Sequence, residues 1–189
     1  MCLINGDELP LWVFNAVLPP EVCEVLSRSA AAIPHAPGEV GHGEAGVRFS
    51  EVAFLPPDHW IAGVLDRCAW EANERAGWSY QLQSSEPVQH ASYAPGGGYG
   101  WHVDTAPLDG AVRKLTVLVQ LSPSEAYDGG DLEIRRHGVP GDERYPIPPA
   151  ARRQGSLIVF PSFLLHRVSP VVRGRRESLT TWVRGPRFT

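Results

Sequence analysis

The sequence predicts a mainly β protein with flanking helices, an α+β chain in which the helices come first and the strands follow. Three observations carry this. The 19 glycines and 18 prolines cut the chain into short apolar runs, the punctuation of a strand-rich fold with many turns. Helical periodicity is confined to two stretches before Gly77. After Gly77 the apolar runs are short, often β-branched, and bounded by turn residues. A length of 189 residues suits one domain. No repeat or linker divides it, so 1–189 is read as a single domain, helical over about 1–80 with the core over about 81–189.

Each element has a local reason. Pro19 to Ile33 opens on two prolines, which the first turn of a helix accepts. Val22, Leu26 and Ala30 then recur at helical spacing. Pro57 to Ala76 is stronger, with Trp60, Ile61, Val64, Leu65, Cys68, Ala69 and Ala72 at steps of three and four. Asp58 is placed to cap its start and Gly77 to stop it. Pro34 to Gly46, rich in Gly, Pro and His, reads as a loop. Strands are expected at Pro87–Tyr93, about Tyr99–Thr105, Lys114–Leu121, Leu132–Arg135, Ser156–Phe160, Leu164–Val168 and Ser178–Val183. Ala94 to Gly98 is a loop, and Asp128-Gly129-Gly130-Asp131 a hairpin turn rather than a calcium loop.

Composition narrows the function classes. Hydrophobic residues at 43% and charged residues at 20% are ordinary for a globular protein. A net charge of -4 argues against nucleic acid or an anionic membrane as partner. Met1 to Pro10 lacks the features of a signal peptide, and no apolar run reaches membrane-spanning length. Cys2, Cys23 and Cys68 are odd in number and form no CxxC pair, which suits reduced thiols in a cytoplasmic protein.

The chemistry concentrates in a few positions. His102 and Asp104, two apart in Gly100-Trp101-His102-Val103-Asp104, share a face if the segment is a strand. His166 lies in a second apolar strand. Two histidines and one carboxylate can take one face of an octahedral Fe(II) and leave three positions open, although Mn, Co, Ni and Zn accept the same donors. The pair alone is weak evidence, and a single histidine in an apolar strand is more often a hydrogen-bonded core residue. Arg176, ten residues past His166, adds a charge that could anchor an anionic cofactor.

Several longer stretches give these residues a context: Gln89 to Tyr93, Gly98 to Asp104, Arg113 to Thr116, Asp128 to Leu132, Gly155 to Pro161, and His166 to Trp182. In this order, over about half the chain, they resemble the Fe(II)/2-oxoglutarate-dependent dioxygenases of the prolyl-4-hydroxylase-like group, including its PKHD-type members. The resemblance implies a double-stranded β-helix (a cupin-like jelly roll) with helices outside. It implies iron on His102, Asp104 and His166, and the distal carboxylate of 2-oxoglutarate on Arg176, whose planar fork suits a carboxylate. Tyr99 matches a tyrosine that touches the cosubstrate, Ser178 could add a hydrogen bond, and Tyr93 and Trp182 could wall the pocket. The cofactors implied are Fe(II), 2-oxoglutarate and O2, with ascorbate in support. An intact Asp104 disfavours halogenation.

Other readings stay open for individual residues. Arg176 could belong to a solvated basic turn over Arg173 to Arg176, and Tyr99 could be packing. Gln89 and Tyr93 could line the pocket or the core, while Thr180 and Trp182 suit the core. Arg48, Trp101, His90 and His35 are substrate contacts by position alone. With the chain ending soon after the last strand, the expectation leans to a small amino-acid-like or natural-product substrate, with no appended peptide-binding domain and with the short helical N-terminal half and its Gly/Pro/His loop building the lid. The alternatives are a peptidyl, prolyl-type hydroxylase and a metal-binding jelly-roll sensor without turnover. The oligomeric state is not set by the sequence.

Overall fold

Two facing sheets, with helices against the outer side of the larger one, organise the protein. The computed structural model describes residues 10–38, 48–105, 107–108, 110–136 and 143–188. The expectations for Cys2, the start of the chain and most of the Gly/Pro/His loop lie outside these residues.

In chain order the elements are β1 (Trp12–Phe14), α1 (Pro20–Ala31), β2 (Ala36–Pro37), β3 (Arg48–Phe49), β4 (Glu51–Phe54), α2 (Ile61–Arg75), β5 (Ser84–Ser85), β6 (Gln89–Tyr93) and β7 (Gly98–His102). There follow β8 (Pro107–Leu108), β9 (Ala111–Gln120), β10 (Tyr127–Gly129), β11 (Leu132–Ile134), β12 (Leu157–Pro161), β13 (His166–Val168), β14 (Val171–Gly174) and β15 (Arg176–Pro186). The large sheet runs β1-β12-β9-β15-β6-β4-β2, with β5 beside β15 and β8 beside β9. The small sheet runs β11-β13-β7-β3, and β10 pairs β14 apart from both. All the described strand pairs are antiparallel. Among the described residues, no helix is long and apolar enough to cross a membrane.

The alternation along β9 shows how the layers form. Leu115, Val117 and Val119 point outward into a core shared with Leu26 of α1 and Leu65 and Ala69 of α2. Leu118, between them, packs inward with Leu132, Ile158 and Phe160. A period of two thus serves two cores from one strand.

The first helix begins on Pro20 after the Pro19 cap, as expected. The second differs. It starts at Ile61, and Asp58 does not cap it; the His59 Nδ1 lies 3.3 Å from the Ile61 amide instead. At the other end Gly77 takes a φ of 70°, a left-handed turn that few residues but glycine adopt readily.

The N-terminal part is less purely helical than expected, since β1, β2 and β4 extend the large sheet and β3 the small one. The segment from Asp128 to Asp131 is no hairpin. β10 pairs β14 and β11 pairs β13, so the chain crosses between sheets here. Gly129 makes that crossing at a φ of 72°, where a Cβ would meet the Pro170 carbonyl at 2.2 Å.

Candidate active site

The site lies between the two sheets, lined by Gln89, Tyr93, Thr180, Trp182 and Thr116 from the large sheet. Tyr99, His102, His166 and Arg48 come from the small one, with Asp104 beside them.

His102 ends β7 and His166 begins β13, and the two are direct cross-strand partners. Asp104 is placed differently from the expectation, because the strand stops at His102. What holds it is the turn after β12. The Ser162 carbonyl accepts from the Asp104 amide at 2.8 Å and the Thr105 amide at 3.1 Å. The ligand atoms offered by His102, Asp104 and His166 lie within 4.8 Å of one another, and all three residues are buried.

Each imidazole is oriented by its backbone. His102 Nδ1 is 2.8 Å from the Gly100 carbonyl and His166 Nδ1 is 2.8 Å from the Leu164 carbonyl. A carbonyl only accepts, so both Nδ1 atoms carry the proton and both Nε2 lone pairs face inward, as metal ligation requires. Nε2 of His102 is 3.5 Å from Asp104 Oδ1, and that of His166 is 3.4 Å from Oδ2.

The charge states are coupled. Burial opposes ionisation of Asp104, but His166 and His102 outweigh it and hold the carboxyl well below the usual carboxylate range. Burial also works against a charged His166, yet the Asp104 charge prevails and its pKa is raised. For His102 burial wins and the pKa falls.

Arg176 is a second buried charge, on β15 beside Tyr93. It opens β15 and is fully buried, not part of a solvated turn. Its Nη1 reaches the Ser178 hydroxyl at 3.3 Å and its guanidinium lies 5.3 Å from the Tyr93 ring. Nε and Nη2 have no hydrogen-bond partner among the described residues. A sealed cation with open donors is costly unless an anion completes it. Arg176 is thus a buried cation next to Tyr93, which itself lines the pocket that holds the three donors.

Tyr99 should face away from His102 by simple alternation, being three residues before it. A bulge corrects this: β13 pairs His166 with His102 but Val168 with Tyr99, so β7 carries an extra residue. The Tyr99 ring then stacks on His102 with centroids 3.5 Å apart and planes 12° apart.

The remaining candidates divide. Arg48 lines the site, bonded to Gln89 Oε1 at 2.9 Å. Trp101 faces away from the pocket, amid the guanidinium groups of Arg135, Arg144 and Arg167. His90 turns outward too, 3.0 Å from His35 Nε2 and 3.6 Å from Glu177.

Sequence reading missed several neighbours of the site. Thr116 donates to Asp104 Oδ2 at 2.8 Å. Arg113 covers the Trp182 ring at 4.0 Å, reaches the Asp104 carbonyl at 3.4 Å, and is clamped by both oxygens of Glu86. Phe160 meets His166 edge-on at 4.8 Å. The sequence signals for them are the Arg113 to Thr116 and Gly155 to Pro161 stretches, legible as matches without roles.

Comparisons with known proteins agree in kind. A family model described as the 2OG-Fe(II) oxygenase superfamily matches residues 88–184. A PKHD-type hydroxylase of Pseudomonas aeruginosa is 30% identical over 175 residues, covering 84% of this chain and 73% of its own. Among solved structures, a Pseudomonas putida prolyl-4-hydroxylase superposes with a TM-score of 0.70 at 23% identity, covering 95% of this chain and 94% of its own. A Trichoplax adhaerens prolyl hydroxylase, in complex with a hypoxia inducible factor peptide fragment, gives a TM-score of 0.69 at 22% identity over 92% and 83%.

Proposed function

The chain belongs to the 2OG-Fe(II) oxygenase superfamily, as a dioxygenase of hydroxylase type that uses Fe(II), 2-oxoglutarate and O2, and from that premise we propose which residues do the work and on what substrate. His102, Asp104 and His166 hold the iron through two Nε2 atoms and one carboxylate. Arg176, with Ser178 beside it, receives the distal carboxylate of 2-oxoglutarate. The observation that carries this reading is the fully buried Arg176, whose Nε and Nη2 await an anion in the same barrel as the three converging donors.

Bound iron and 2-oxoglutarate supply the oxidising chemistry, in which 2-oxoglutarate and O2 become succinate and CO2 and one oxygen atom enters a C–H bond. The protein's part is placement. The Gly100 and Leu164 carbonyls fix both imidazoles, and Tyr99 stacks on His102 to hold its plane. Phe160, Leu118 and Val168 make the walls apolar and keep water away from the reacting centre.

For the substrate, the reading is a peptidyl segment carrying the target residue, prolyl in the first instance. The support is twofold. Two of the similar solved structures are prolyl hydroxylases, one of them in complex with a peptide fragment. The turn that seats Asp104 also presents the exposed Phe163, in edge contact with the exposed Phe188 at 6.0 Å, an apolar surface beside the site. The expectation of a small amino-acid-like substrate has no comparable support.

The test has two stages. Anaerobic addition of Fe(II) and 2-oxoglutarate should give a weak visible charge-transfer band in wild type that Asp104→Ala abolishes and Arg176→Leu weakens. Loss of one partner of a buried charge pair costs about 2–5 kcal/mol, so cosubstrate Kd in Arg176→Leu should rise by about 30-fold or more. Succinate release is then compared for proline-containing peptides and for free amino acids. Coupling only to free amino acids would overturn the peptide reading. Metal binding without succinate from any substrate would favour a sensor.

A further inference from the structure

Asp104 lies beyond the end of its strand, so nothing in the regular ladder aims its carboxylate. Three groups from two other segments do. The Ser162 carbonyl holds the Asp104 amide, Thr116 Oγ1 lies 2.8 Å from Oδ2, and Ser162 Oγ lies 3.1 Å from the same threonine oxygen. Thr116 and Ser162 are both sealed from solvent.

Counting protons gives this cluster a direction. A threonine hydroxyl has one proton to donate. A carboxylate that ligates a metal has none, so the Thr116 proton goes to Asp104 and the Ser162 proton to Thr116. The order is Ser162 to Thr116 to Asp104, with every donor used, and such chains polarise one another favourably.

We propose that Thr116, oriented by Ser162, is the positioning residue that makes Asp104 a one-oxygen metal ligand. Its hydroxyl occupies Oδ2 and leaves Oδ1 for the metal. A carboxylate gripping with both oxygens would take one of the three positions that cosubstrate and O2 need. The proposal rests on the metal-site reading above. Outer partners of metal ligands typically change metal affinity by 10- to 100-fold when removed.

The test uses cobalt(II) alone, without cosubstrate, read by calorimetry and by its visible ligand-field spectrum. Thr116→Val keeps the shape and removes the hydroxyl, and should weaken cobalt binding by about 10- to 100-fold with an altered spectrum. Thr116→Ser restores the donor and should recover wild-type affinity and spectrum. Ser162→Ala leaves Thr116 in place and keeps the question answerable if Thr116→Val fails to fold; it should also alter the spectrum. Cobalt affinity and spectrum unchanged from wild type in Thr116→Val, or in Ser162→Ala if that alone folds, overturn the proposal. If wild type binds no cobalt, or Asp104→Ala binds it equally well, the metal-site reading falls and takes this proposal with it. Binding lost in Asp104→Ala but intact in Thr116→Val overturns the positioning role alone.

Discussion

A guanidinium sealed inside a barrel is a burden on the protein that lacks its anion. Arg176 has two donor nitrogens without partners among the described residues, and each unsatisfied buried group of this kind costs on the order of 1–3 kcal/mol or more. Arg176→Met keeps most of the length and removes the charge. It should therefore raise the melting temperature of the cofactor-free protein by about 4 °C or more, since two such groups amount to about 2 kcal/mol at least and each kcal/mol is roughly 2–4 °C for a chain of this size, and it should abolish the stabilisation by 2-oxoglutarate that the proposed role of Arg176 entails. Thermal scans with and without iron and 2-oxoglutarate check both halves; a lower melting point in the cofactor-free variant would show that Arg176 already has its partner. The buried thiols allow a second prediction. Burial pushes Cys23 and Cys68 up to about 11, so neither should be alkylated at pH 8 until the protein unfolds. Mass spectrometry after a short iodoacetamide pulse reads this directly.

At the scale of elements, α2 is the principal brace on the outer face of the large sheet. Leu65 is fully buried with Leu115, Val117 and Leu157. Leu65→Ala should cost about 2–5 kcal/mol, measured as a lower denaturant midpoint with little change in slope. The crossing at Gly129 is the other sensitive point. Its left-handed φ and the nearby Pro170 carbonyl leave no room for a Cβ, so Gly129→Ala should destabilise by more than about 1 kcal/mol and separate β10 from β14. Both helices were legible because a 3.6-residue apolar rhythm needs only local sequence. β3 and β14 were not. Two to four residues carry too little alternation to register, and their identity as strands comes from β7 and β10, the strands they pair with.

For the whole molecule, Glu86 ties distant parts of the chain together through Arg113 on β9 and Arg184 on β15. Burial works against its ionisation, but Arg113 and then Arg184 prevail and its pKa is lowered. A depressed carboxylate adds stability that is present above its unfolded pKa and is lost as pH falls through the folded one. Wild type should thus lose stability on acidification into that range, and Glu86→Gln should be less stable at neutral pH with a flatter acid limb. Parallel acid-side curves for the two proteins would remove Glu86 from the account. Alone, the sequence determined the two helices, most of the longer strands, the candidate His102, Asp104 and His166 that the fold then brings together, and through the resemblance the jelly roll and its cofactors. Those depend on local periodicity and on short runs of residues near one another in the chain. Tertiary structure decided that Asp104 is aimed from outside its strand, that a bulge turns Tyr99 onto His102, that Trp101, His35 and His90 face away from the pocket, and that Thr116, Ser162, Arg113 and Glu86 stand behind the site. These are contacts between segments tens of residues apart, fixed by strand register, and a shift of one residue in that register sends a side chain to the opposite face.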